Sequence, residues 1–295
     1  MSDNVQNLQP PGSNPLQKHF RQPKIYIQLP SKGRWWPDGA LDMPENGEIP
    51  VYPMTAKDEI TMRTPDALLN GQSTVDVIQS CIPNIKDAWK MPSIDLDVCL
   101  IAIRIASFGE KMEINTKIPN TDEERAFDLD LRYYLDLYVS QEFEDVLQAG
   151  DFLVQIKPMS YETFTQIALK TFEEQRLIAI VNQEDKSDTE KMKLFNKSFK
   201  TLTDINLNTV FDSVTAIQYQ QDDPVTNRQH IREFLENTDT VVYNSIKDHV
   251  EMLRDKFQLK PLDVETTEEE QAAGAPKTFK LPLSFDHSSF FGRGS

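Results

Sequence analysis

The sequence predicts an α+β fold: an N-terminal mixed domain with a small sheet, then a mainly helical C-terminal half, then an extended C-terminal tail. Three observations carry that prediction. Short runs before residue 160 alternate apolar and polar residues with the period of two that marks a strand. Between and after them, apolar residues recur at i, i+3 and i+4, the spacing of one helix face. Beyond Glu265 the chain turns acidic and small, and its end is aromatic. The expected organisation is a flexible arm at 1–22, an α+β domain at 23–160, a helical domain at 161–260, an acidic linker at 261–277 and a hydrophobic tail at 278–295.

Pro10, Pro11, Gly12 and Pro15 oppose regular structure in the arm. Ile25, Ile27 and Leu29 alternate with Lys24, Tyr26 and Gln28, which predicts a strand. Ile49 to Met54 is a second extended run, and its prolines favour an edge. Thr55 with Asp58 fits a capping box, Thr64 before Pro65 fits an N-cap and first helical position, and Ser73 with Asp76 repeats the capping pattern. Ser93 is placed to cap the following segment and Gly109 to close it. That segment is apolar on nearly every side, which predicts the central buried helix of the N-terminal half. Met112, Ile114, Thr116 and Ile118 alternate as a strand. The stretch from Phe127 to Val139 reads both ways, because Phe127, Leu129 and Leu131 alternate while Leu131, Leu135 and Val139 keep helical spacing. Asp151 to Met159 reads as a strand.

The second half changes period. A long helix carries Phe164, Ile167 and Ala168 on one face, the polar run from Asn182 to Glu190 reads as a linker, and a helical region runs from Lys191 towards Tyr219. Asp222, Asp223 and Pro224 break it, and two helices follow. In the second, Val242, Ile246, Val250, Leu253 and Phe257 form a stripe expected to face the protein's own core.

With 295 residues, 39% of them hydrophobic, the chain can bury a substantial core. A net charge of −16 argues against broad nucleic-acid binding, since phosphate contacts need clustered Lys and Arg. Cys81 and Cys99 lie in apolar helical patterns and read as small buried hydrophobes. The N-terminus lacks an apolar signal core and no stretch approaches the ~20 apolar residues of a membrane span, so the expected setting is the cytoplasm. His19, His230, His249 and His287 are scattered, and neither a Cys-x-x-Cys pair nor a Gly-x-Ser-x-Gly elbow occurs. Asp128, Asp130 and Asp136 read as a solvated face. The residues therefore nominate no catalytic group, no cofactor and no metal.

One stretch stands apart, Leu29 to Pro37, "LPSKGRWWP". It is not a phosphate loop, because the Gly-Lys-Ser/Thr ending is absent. Lys32, Arg34, Trp35 and Trp36 would suit a single-stranded nucleic-acid stacking platform. The alternative is a stiff turn in which at least one indole packs into the core while the other serves a partner. Trp35 and Trp36 are candidate partner-binding residues on that reading. Phe285, Phe290 and Phe291 of the tail join them, because Leu281, Leu283 and Phe285 alternate like a strand able to dock on a sheet edge.

The combination of "LPSKGRWWPDG", "GEIPVYPMTAKDEITMRTPDALLNGQSTVDVIQSCIP" and "SIDLDVCLIAIRIASFGEKMEI" resembles the N-terminal signature of the baseplate hub assembly protein family of T-even-like contractile-tailed bacteriophages. The resemblance covers residues 25–180 well and the remainder loosely. It implies a non-enzymatic structural or assembly role, as a transient chaperone or a virion component, with other hub or wedge proteins as partners. One departure is visible: where relatives carry paired cysteines, this chain has Lys117-Ile118-Pro119-Asn120. If those cysteines hold a metal, this loop must be held by packing instead.

Overall fold

A computed structural model of the protein describes residues 14, 16, 19–62, 71–183 and 187–281. Ile25–Ile27 (β1) and Ile49–Val51 (β2) pair antiparallel, with Ile27 opposite Ile49. Ile27, Ile49 and Val51 turn inward and are buried. Pro50 is tolerated because a two-stranded sheet has only edges. Arg21 anchors the chain just before β1 begins. Arg21 donates to the Pro53 carbonyl at 2.7 Å, to the Ser80 carbonyl at 2.6 Å and to Asp58 at 3.2 Å.

Ala56–Met62 (α1) starts as the sequence predicts. The Thr55 N–H donates to Asp58 at 2.8 Å and the Asp58 N–H to the Thr55 hydroxyl at 3.2 Å. The Thr64–Pro65 pair lies outside the described residues. Gln72–Cys81 (α2) departs from expectation: its first turn follows Gly71 at φ 77°, and Ser73 is buried inside the helix instead of capping it. A Cβ on Gly71 would stand 3.1 Å from the Tyr161 hydroxyl, so close packing selects glycine there. Ser93 likewise opens a 3₁₀ turn, Ser93–Asp95, rather than the helix itself. Leu96–Phe108 (α3) follows and ends at Gly109, φ 95°, whose N–H reaches the Ile105 carbonyl at 2.9 Å. Every residue of α3 from Val98 to Ala106 is buried. It is the axis of a first core built with Ile27, Val51, Ile78 and Leu135.

Lys111–Lys117 (β3) and Glu124–Asp130 (β4) form an antiparallel hairpin, and Leu131–Val139 (α4) follows directly. The two-way stretch is thus both things in turn. Asp130 ends the strand and caps the helix by accepting the Arg132 N–H at 2.9 Å.

A second core begins with Val146–Ala149 (β5) and Phe152–Ile156 (β6). Tyr161–Gln183 (α5) and Asp188–Ser213 (α6) then form a helical hairpin, with a Ser187–Glu190 capping box opening α6. The helical run expected to reach Tyr219 stops at Ser213. Val214–Tyr219 (β7) is a strand with Val214, Ala216 and Ile217 buried, and it pairs antiparallel with β6. The sheet order is β5-β6-β7, so the expected break at residue 160 falls between two strands of one sheet. Arg228–Asn237 (α7) and Thr240–Lys256 (α8) are capped by Asn227 and Asp239. The α8 stripe packs Val242, Ile246, Val250 and Leu253 against Val154, Ile156, Val214 and Ile231.

The acidic segment is not a linker. Leu262–Glu265 (β8) pairs antiparallel with Thr278–Leu281 (β9), and Glu268–Ala272 (α9) lies between them. Its acids have structural tasks. Three glutamates occupy the first turn of α9, where the helix dipole favours them, and Glu270 completes a capping box with Thr267. Glu270 also meets Arg125 of β4 at 3.2 Å, while Phe279 sets its ring 6.1 Å from that of Phe127. Composition suggested a linker because capping acids and solvated acids look alike in sequence. The tail residues Phe285, Phe290 and Phe291 lie outside the described residues.

Leu281 is only 1% exposed, so β9 is part of the folded body. Truncation after Lys277 is expected to lower stability by at least about 1.5–3 kcal/mol relative to truncation after Leu281, since the buried leucine side chain alone is worth that much and the β8 ladder and the Phe279 contact are lost with it. Thermal melts of the two truncated proteins check this.

Candidate partner-binding site

The site begins where β1 leaves the first core. Leu29 and Ser31 are both 1% exposed, and the chain then reverses tightly. The Lys32 N–H donates to the Leu29 carbonyl and the Arg34 N–H to the Ser31 carbonyl, each at 2.9 Å. Lys32, Gly33 and Trp35 all take left-handed φ values of 53°, 78° and 65°. Two of these are not glycine, which costs free energy unless the surroundings dictate the conformation.

The dictating group is Asp95. Its carboxylate is fully buried and accepts the Ser31 N–H at 2.8 Å, the Ser31 hydroxyl at 2.5 Å and the Trp36 indole N–H at 3.0 Å. The Ser31 hydroxyl in turn accepts the Gly33 N–H at 3.2 Å. Three donors from one loop thus converge on one carboxylate, and Trp36 packs against the first core. Trp35 turns the other way. The Arg34 guanidinium lies 4.1 Å above its ring, and Phe143 meets it edge-on at 5.0 Å. Phe143 continues to Phe257 at 6.0 Å and packs on the second core. Arg34 is itself paired with Asp145 just before β5.

The loop therefore bridges the two cores, Trp36 in one and Trp35 against the other. Of the alternative stacking platform, Arg34 is ion-paired, Trp36 is hydrogen-bonded and Trp35 is sandwiched. Only Lys32 is exposed without such a task. That Asp95, Phe143 and Phe257 serve the loop escaped the sequence reading because they are far from it in the chain. The Asp-rich start of α3 was the one legible trace of Asp95.

A second surface went unread. α5 and α6, of 23 and 26 residues, are about 34 and 39 Å long. Leu169, Phe172, Leu177 and Ile180 of α5 are 37–55% exposed, and Met192 and Phe199 of α6 reach 62% and 58%. At the root of the hairpin a groove of about 380 Å³ is lined by Phe164, Ile167, Phe172, Thr209 and Arg254. The signal was present: both helices carry more apolar residues than a single face can hold.

Burial sets the proton affinities here. It raises the Asp95 carboxyl to about 6, against the lowering effect of its Ser31 and Trp36 donors. It raises Asp97 to about 7, opposed only by the Leu259 N–H that donates to it. The Cys81 thiol is pushed up to about 12 by burial and stays protonated, in keeping with a packing role. Among the described residues no group of three His, Cys, Asp or Glu side chains is placed to hold a metal ion.

Asp95→Ala strands the buried Ser31 N–H and Trp36 indole N–H, at about 1–3 kcal/mol each. A combined loss of about 3 kcal/mol or more is expected in a denaturant melt. Asp95→Asn should not restore it, because its amide nitrogen cannot accept. Asp97 differs in having one donor where Asp95 has three. A carboxyl with a folded pKa above its unfolded value binds protons more tightly when folded, so its contribution to stability falls as pH rises from about 4 to 7. Asp97→Asn keeps an acceptor for Leu259 and removes the charge. It is expected to melt above the parent protein at pH 8, with the advantage shrinking as pH falls and vanishing only below about pH 4.

No described helix is long and apolar enough to cross a membrane. No curated protein and no solved structure matches the chain. The family model described as T4 bacteriophage base plate protein matches residues 23–283, which extends the likeness well past residue 180 and through β9. With nearly the whole described body inside that match, the chain belongs to the T4 bacteriophage base plate protein family, the structural proteins of the phage tail baseplate.

Proposed function

We propose that the protein is a non-enzymatic subunit or assembly factor of the baseplate hub or wedge, acting in the host cytoplasm by binding other baseplate proteins. The observation that carries this reading is the α5–α6 hairpin. Helices apolar on more than one side are normally buried, and a contiguous exposed apolar surface marks an interaction site. Leu169, Leu177 and Ile180 face away from the groove at the hairpin root, so the hairpin can be covered on two sides. The bridging loop supports the same reading, since Trp35 and Trp36 hold the two cores in one arrangement and present a fixed shape to a partner. Phe285, Phe290 and Phe291 are proposed as further aromatic anchors, the residue type that dominates binding energy at interfaces.

The test separates folding from assembly. Leu169→Asp combined with Leu177→Asp changes only exposed side chains, so stability should fall by no more than about 1 kcal/mol in total. Incorporation into purified baseplates should fall to background. Normal incorporation of the double variant would overturn the hairpin as the binding element.

A further inference from the structure

Helix α6 carries a second pattern that exposed apolar residues alone do not explain. Between Lys191 and Thr203 the chain has four lysines and no carboxylate, within a protein of net charge −16. Lys193, Lys197 and Lys200 recur at i, i+4 and i+7, so they line one stripe, and all three are exposed. Met192 and Phe199 lie along the adjoining stripe, and Phe195 joins them with its ring 6.5 Å from that of Phe199. Among the described residues none of the three lysines has an ion-pair partner. A solvated helix face ordinarily intersperses both signs. This one does not.

We infer that this stripe of α6 receives an acidic protein surface with an apolar centre, belonging to a neighbouring baseplate subunit. The inference rests on the baseplate-binding reading and adds the chemistry of the partner. Charge complementarity selects it: three aligned ammonium groups beside an aromatic row match carboxylates ringing an apolar patch, and opposed charges steer encounter and fix register. A polyanion is a poorer match. Three lysines neutralise few phosphates, and the negative charge elsewhere on the chain repels nucleic acid and anionic lipid alike.

The experiment places a photo-crosslinking phenylalanine analogue at position 199 of the full-length protein during particle assembly and identifies the joined peptide by mass spectrometry. The expected product is a carboxylate-rich peptide of another tail protein. Its yield should fall about tenfold or more in the Lys193→Glu, Lys197→Glu, Lys200→Glu triple variant and persist when the same lysines become arginine, because the pairing is electrostatic. A peptide from a second copy of this chain, an adduct with nucleic acid or lipid, no adduct, or a yield indifferent to charge reversal would each overturn it. Baseplate incorporation is measured in parallel. Protein that enters baseplates without the adduct defeats this inference alone, whereas protein that never enters them defeats the baseplate-binding reading as well.

Discussion

The buried carboxylate of Asp95 is the constraint on which the rest of the architecture depends. It sits in the seven-residue stretch Met91–Asp97, and that stretch holds three distant parts of the chain. Asp95 fixes the Ser31–Trp36 loop. Backbone pairing on either side launches α5, with the Ser93 N–H on the Met159 carbonyl at 2.8 Å and the Tyr161 N–H on the Met91 carbonyl at 2.7 Å. Asp97 holds Leu259, where the chain leaves α8 for β8. Burying Asp95 and half-burying Asp97 is unfavourable, as their raised proton affinities show. Each offsets part of that cost by satisfying backbone or indole donors that would otherwise be stranded. Apolar packing fills the two cores, and these polar contacts set how the cores meet.

The fold class was legible because it rests on local periodicity. α3, the α8 stripe, the β3 strand and the Thr55–Asp58 cap are all written within single windows of sequence. The misreadings have a common cause. Ser73 lost its capping role to Gly71, whose close approach to Tyr161 is a tertiary fact. Residues 214–219 continued a helical run by composition, yet they become a strand because β6 offers an unpaired edge. The segment Glu265 to Lys277 looked like a linker because its partner, Arg125, lies far upstream in the sequence. Of the candidate site, the rigidity of the tryptophan turn was readable from Gly33 and the flanking prolines. Its anchor was not, since nothing local joins Ser31 to Asp95.

Exposed apolar helices and strong negative charge belong together in this protein. A hairpin with phenylalanines and leucines on its outer sides invites unspecific association, and a net charge of −16 opposes it by mutual repulsion until the right surface arrives. The Arg34–Asp145 pair, about half exposed, adds little stability by itself. Its effect is to orient Arg34 over Trp35 and keep that indole against Phe143.

The placement of the α5–α6 hairpin between β6 and β7 has a consequence for how the chain assembles itself. Strand β6 finishes at Ile156, and its neighbour β7 starts only at Val214. During synthesis β6 must therefore wait, one edge open, until that stretch has left the ribosome. The hairpin between them forms from near neighbours and needs no sheet. Once folded, it returns the chain to its starting point, with the Lys157 N–H on the Ser213 carbonyl at 2.8 Å. A long loop closure is thereby reduced to a short one, and the entropy cost that usually slows distant strand pairing is met by helix formation beforehand. The element that faces outward in the finished protein is thus also the template that lets its central sheet close.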